Sequence, residues 1–160
     1  MKIRLSACVF VLILSLSAAP VTYRDQSGRV TGRATQNGST TTYRDASGRI
    51  TGTSTRSGTR VVYRDAQGRV IGSAVQNGSH VTYRDGHGRV SGTATNLNDR
   101  TTYRDRSGQI TGQSARTSGG TTTYRDGSGR ITGSSYSQGE PDTGIPADSF
   151  YRVQPAGKTK

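Results

Sequence analysis

The sequence predicts an all-β chain in which six tandem 20-residue, two-strand repeats form a β-solenoid or an antiparallel β-meander. The first observation is internal self-similarity, the mark of repeat architectures. In 160 residues the string Tyr-Arg-Asp opens at Tyr23, Tyr43, Tyr63, Tyr83, Tyr103 and Tyr124, spaced by twenty residues four times and by twenty-one once, with the extra residue near Gly119-Gly120. The second is local chemistry: Thr, Tyr, Val and Ile dominate these segments, and clusters such as Asp45-Ala46-Ser47-Gly48 and Asn77-Gly78 punctuate them, as in short strands joined by tight turns. The third is composition. With 22 Gly, no Trp and only sixteen Val, Ile, Leu or Phe residues beyond position 19, the chain lacks the dense apolar runs of a helix bundle or of a sheet buried on both faces.

Residues 1–19 read as a secretory signal peptide: Lys2 and Arg4 supply the positive region, Leu5 to Leu16 the apolar stretch, and Ser15, Ser17, Ala18 and Ala19 the small residues. A cut after Ala19 leaves Pro20 next, so cleavage after Ser17 or Ala18 is an alternative. The apolar stretch is shorter than the roughly 20 residues a bilayer span needs. No stable membrane span is therefore expected once the leader is removed, and the expected location is secreted, periplasmic or cell-surface. Leu5-Ser6-Ala7-Cys8 has the form of a bacterial lipobox, but the apolar run continues past Cys8, which argues against lipidation. Without Cys8, the one cysteine, the chain has no disulfide and no thiolate metal site. Its charge is then 20 basic against 10 acidic residues, a net +10.

Residues 20–139 carry the repeat T-Y-R-D-x-x-G-R-[VI]-T-G-x-[AS]-x-x-x-G-x-x-T. Asp at the first and Gly at the fourth position suit a type I turn, and Asn37-Gly38 and Asn77-Gly78 suit a type I′ hairpin. Side chains alternate along a strand, so turn length decides which residues share a face. Even turns place Val61, Tyr63, Val70, Gly72, Ala74, Val81 and Tyr83 together, whereas an odd Asp65-to-Gly68 turn separates Tyr63 from Val70. Even turns are therefore expected. The expected core is Tyr23, Tyr43, Tyr63, Tyr83, Tyr103 and Tyr124 with Val30, Ile50, Val70, Val90, Ile110 and Ile131.

One apolar face must be covered. Winding into a solenoid, curling or pairing of a meander, and cross-β stacking between molecules all do so, and disorder is the competing state for so lean a composition. A solenoid stacks equivalent arginines about 4.8 Å apart, and a meander roughly doubles that. Residues 140–160, with Pro141, Pro146 and Pro155, break the repeat and are expected to form a flexible tail.

From Val21 to about Ser135, the Tyr-x-Asp-x-x-Gly-Arg element with its period near twenty resembles the YD repeats of Rhs-type and teneurin-type proteins, a likeness that implies β-shell architecture. Those repeats usually place an aromatic residue directly before the Asp, where this chain has Arg24, Arg44, Arg64, Arg84, Arg104 and Arg125. In layout, a leader followed by a few two-strand repeats is also similar to a curlin-type amyloid subunit.

Catalysis finds little support in these residues. His80 and His87 each stand where sister repeats carry other residues, no Ser-His-Asp constellation emerges, and the nonapeptide of calcium-loaded β-rolls is missing, so no catalytic residue, metal or cofactor is assigned. The repeated Asp is expected to accept turn amide hydrogens or to pair with Arg. The informative feature is arginine: Arg24, Arg44, Arg64, Arg84, Arg104 and Arg125 form one row, and Arg29, Arg49, Arg69, Arg89 and Arg130 a second, both expected on the polar face. Guanidinium forks pair with oxyanions, and regular spacing adds multivalency. Such charges also hinder unwanted strand pairing. The expected function is an exported, non-enzymatic β-repeat protein with a structural or adhesive role at the cell surface or matrix, self-associating through strand edges. The alternative is a polyanion-binding module for polysaccharide, lipopolysaccharide or extracellular DNA.

Overall fold

The computed structural model describes residues 18–137. Most of the expected leader and the Pro-containing tail lie outside the described residues. Twelve strands follow in chain order: β1 (Ala18–Asp25), β2 (Val30–Asn37), β3 (Thr40–Asp45), β4 (Ile50–Ser57), β5 (Arg60–Asp65), β6 (Val70–Asn77), β7 (His80–Asp85), β8 (Val90–Leu97), β9 (Arg100–Asp105), β10 (Ile110–Arg116), β11 (Thr121–Asp126) and β12 (Ile131–Tyr136). Each pairs antiparallel with its neighbours in sequence, and β1 pairs with β12, closing a barrel.

The architecture is thus all-β and antiparallel, with the strand order of a meander. The solenoid expectation is overturned, and the turns supply the reason. A rung of a solenoid continues in one rotational sense, whereas both turns of this repeat reverse the chain within two or three residues. Each repeat therefore stands as a hairpin beside the next.

The junction between β12 and β1 copies the five junctions between successive hairpins. Asp25, Arg24 and Tyr23 oppose Gly133, Ser134 and Ser135, as Asp45, Arg44 and Tyr43 oppose Gly32, Arg33 and Ala34. Six equivalent hairpins thus close with no odd seam.

The expected even turns are also corrected. The Asp65 amide donates to the Arg69 carbonyl at 2.9 Å and the Gly68 amide to the Asp65 carbonyl at 3.0 Å, so Asp65 faces Arg69 across a three-residue loop. Its third residue, Gly68, has φ +82°, the left-handed conformation that glycine adopts freely. This odd loop puts Arg64 opposite Val70. Left uncorrected, it would set Tyr63 opposite Ile71 and send the next glycine and alanine outward. A β-bulge prevents this, because the register jumps from Arg64↔Val70 to Tyr63↔Gly72 and leaves Ile71 as the extra residue. The same jump occurs in all six hairpins.

The bulge divides the expected core. Tyr43, Tyr63, Tyr83, Tyr103 and Tyr124 are buried, with Val61, Val81 and the small residues Ala34, Ser54, Ala74, Ala94, Ser114 and Ser135. Tyr23 is half-buried. Val70, Ile50, Val90, Ile110 and Ile131 are not core residues: they are 36–45% exposed, because the odd loop pairs each with an outward arginine. Val30, paired with Arg24, is half-buried.

Inside, every tyrosine faces the strand glycine of its own hairpin, as Tyr83 faces Gly92. The absent side chain leaves room for the ring. The tyrosine then reaches diagonally toward the small residue two places further on, and the Tyr43, Tyr103 and Tyr124 hydroxyls lie 3.0, 3.1 and 2.9 Å from the Ser54, Ser114 and Ser135 hydroxyls. Glycine is also required by the neighbouring hairpin. A Cβ on Gly32 would sit 2.5 Å from the Arg44 carbonyl oxygen, and one on Gly112 2.6 Å from that of Arg125.

The opposite turns differ from the expected type I′. Asn77 pairs with His80, so Gly78 and Ser79 are the central residues, and only the glycine has positive φ, +58°. That is the type II′ pattern, with glycine first. Between the fourth and fifth hairpins Asn98 takes this place with φ 54°, the one positive value outside glycine among the described residues. The twenty-first residue is absorbed at 117–121, where the Thr117 amide donates to Thr121 and Gly120 takes φ +82° in a three-residue loop.

Candidate functional site

All six Tyr-Arg-Asp strands run in the same direction, so all six Asp-x-x-Gly loops gather at one rim of the barrel. Each loop is held by the same hydrogen bonds. The Asp85 Oδ1 accepts the His87 and Arg89 amides, both at 2.9 Å, and Asp25, Asp45, Asp65, Asp105 and Asp126 repeat this pattern. The arginine before each Asp bends over its own loop, its Nη1 donating to the Gly28, Gly48, Gly68, Gly88, Gly108 or Gly129 carbonyl at 2.8–3.0 Å. One of its five N–H donors is thereby assigned to the loop, and the guanidinium is fixed on the outer surface.

Five of these carboxylates, those of Asp45, Asp65, Asp85, Asp105 and Asp126, are held below the ordinary range. Hydrogen bonds from the Ser47, Ser107 and Ser128 hydroxyls are the foremost cause that sets Asp45, Asp105 and Asp126 below the ordinary 3.8. For Asp85 the Arg89 amide leads. At Asp65, burial pushes upward but is outweighed by the amide and guanidinium of Arg69, whose Nε lies 2.9 Å from Oδ2.

The structure brings both expected arginine rows to this rim. The first row lies just outside the barrel wall and the second closes the loops, where Arg69 is 78% exposed at the side chain. Neighbouring members of the first row stand on alternate strands, about 10 Å apart by the strand spacing. Gln109 interrupts the second row, and Arg106 in the same loop restores a charge there. The rim therefore carries twelve arginines against six aspartates, a net +6. Sequence reasoning missed Arg106 and Arg33. Arg33 stands directly opposite Arg44, like against like, at a position held elsewhere by Thr53, Ser73, Thr93, Gln113 and Ser134. That departure from the repeat was its signal.

Between the fifth and sixth hairpins the rim opens into a cavity of about 200 Å³ bordered by Tyr103, Gln113, Arg125, Asp126 and Thr132. His80 is exposed and its Nδ1 lies 3.3 Å from the Thr95 hydroxyl. Among the described residues no three His, Cys, Asp or Glu side chains cluster as metal ligands do.

The fold and site together define a class, an all-antiparallel barrel of six repeated hairpins with one arginine-rich rim. No protein-family profile matches the chain, and no curated protein matches it. The chain is similar in fold to an Arabidopsis thaliana protein solved by X-ray diffraction, with a TM-score of 0.52 and 12% sequence identity over 76% of this chain and 82% of that one. At that identity the likeness concerns architecture alone.

Proposed function

We propose that the protein is an exported, non-enzymatic polyanion-binding barrel that works by adhesion to anionic polymers of the cell surface or matrix. The observation that carries this reading is the rim of twelve arginines and six aspartates, with the first-row guanidiniums held at regular intervals by their own loops. Pre-positioned guanidiniums lose little freedom on meeting sulfate, phosphate or carboxylate, and repetition raises avidity. The six aspartates offset half of the twelve arginine charges and leave the rim at a net +6. For self-association through strand edges, part of the leading expectation from the sequence, the described barrel offers no edge, because every strand is paired on both sides. The outer face of Thr42, Arg44, Thr53 and Arg64 is likewise unlike the apolar band of a lipid-spanning barrel.

The test is binding to a short duplex DNA, as a model polyanion, across a salt series. Affinity should fall steeply with salt, and changing Arg49, Arg89 and Arg130 to Gln should flatten the log–log slope by roughly 0.9 for each phosphate that is no longer neutralised. Binding indifferent to both salt and these changes would refute the reading.

A further inference from the structure

The five exposed aliphatic residues of the rim, Ile50, Val70, Val90, Ile110 and Ile131, are 36–45% exposed, each directly paired with an arginine of the first row. A dissolved polysaccharide or the outside of a nucleic acid offers such side chains no apolar partner. The boundary between headgroups and acyl chains of a lipid layer does, while the headgroup phosphates meet the guanidiniums. The layout of the rim favours the same occupant. Because the six junctions are equivalent, the charges are distributed around one end of a cylinder rather than along a line. A planar array of headgroups can meet many of them together, whereas one linear chain follows only an arc.

Resting on the polyanion reading of the same rim, we infer that this end of the barrel docks on an anionic lipid surface, arginines on phosphates and Ile and Val side chains at the acyl boundary. The loops and the strand ends that carry these residues sink into the interfacial layer, and no strand spans the bilayer. The net +6 of the rim provides the charge complementarity.

The experiment is co-sedimentation of the exported chain with vesicles of phosphatidylglycerol or of phosphatidylcholine alone, alongside dextran sulfate binding. The expected result is binding to phosphatidylglycerol vesicles but not to phosphatidylcholine. Ile50→Ser, Val70→Ser and Val90→Ser together should lower vesicle affinity at least tenfold while leaving dextran sulfate binding and the circular dichroism spectrum unchanged. Dextran sulfate binding without vesicle binding, or a triple variant that binds vesicles like the parent, overturns lipid docking and leaves the polyanion reading standing. Failure to bind either probe overturns both.

Discussion

Replacing Gly112 by Ala tests how closely the hairpins approach one another. The added Cβ would lie 2.6 Å from the Arg125 carbonyl oxygen, about 0.7 Å inside the shortest comfortable carbon–oxygen contact of roughly 3.3 Å. The obstacle is backbone in a paired strand, so β10 and β11 must part locally. Loosening about two ladder hydrogen bonds at roughly 1 kcal/mol each, with some strain added, puts the loss at about 2–3 kcal/mol. For a barrel of this size that corresponds to a fall of roughly 10 °C in Tm. Two controls separate this steric effect from the ordinary cost of changing a glycine. Gly28→Ala meets nothing within 4 Å but must hold φ near +80°, which costs about 1 kcal/mol. Gly119→Ala meets only the Thr117 hydroxyl at 3.9 Å and should be neutral or stabilising by about 0.5 kcal/mol. Urea unfolding of the three variants, with slopes compared to confirm a common unfolded state, gives the order. A Gly112→Ala loss no larger than that of Gly119→Ala would refute the close packing of adjacent hairpins.

Val70 and Val81 should differ sharply in their tolerance of substitution despite similar sequence settings. Val81→Ala, at a fully buried position, should cost about 2 kcal/mol, while Val70→Thr, at a position 45% exposed, should stay within about 0.5 kcal/mol, both read from urea midpoints. Equal losses would contradict the odd loop that turns Val70 outward. On acidification, Asp45, Asp85, Asp105 and Asp126 have folded-state values below the ordinary 3.8, so their contribution to stability is present above that value and lost as pH falls through the lowered ones. Thermal midpoints should therefore hold from pH 7 to about pH 5 and drop below pH 4, and a midpoint unchanged at pH 2.5 would exclude the loop carboxylates as stabilising acceptors.

The fold was legible where the residues are few and repeated. Alternation alone placed tyrosine and the small residues on one face and Arg24 through Arg125 on the other, and the structure keeps that division. What alternation could not reveal was a pair of compensating irregularities. Gly68 makes the loop odd and Ile71 makes the following strand odd, and their combined effect on Tyr63, Gly72 and Ala74 is the same as that of an even turn. Only the residue between the two irregularities, Val70, reveals the difference. A strand read as an uninterrupted period of two therefore places every interior residue correctly except the one nearest the loop. The same blind spot hid the exposed aliphatic ring at the candidate site. Arg33 was missed for another reason: a turn centred on Asn37-Gly38 sets it opposite Thr42, whereas the observed Gly38-Ser39 turn brings it against Arg44.

Closure of the barrel changes what a repeat of this composition can do. An open sheet of these hairpins would expose two unpaired edges and an incompletely covered tyrosine face, both of which invite assembly with further copies. Six hairpins remove both at once, because the β12–β1 junction reuses the pairing that joins every other two hairpins. The interior is then filled by tyrosines facing strand glycines, so stability draws on aromatic rings and ladder hydrogen bonds rather than on the large aliphatic core this chain lacks. The chemistry left outside is concentrated where the loops are. Glycines confine the chain reversal, aspartates bind the loop amides, and the arginine before each Asp is anchored by one bond while its remaining donors stay on the outer surface. One Asp-x-x-Gly turn, repeated by symmetry, thus both terminates the strands and builds the charged rim.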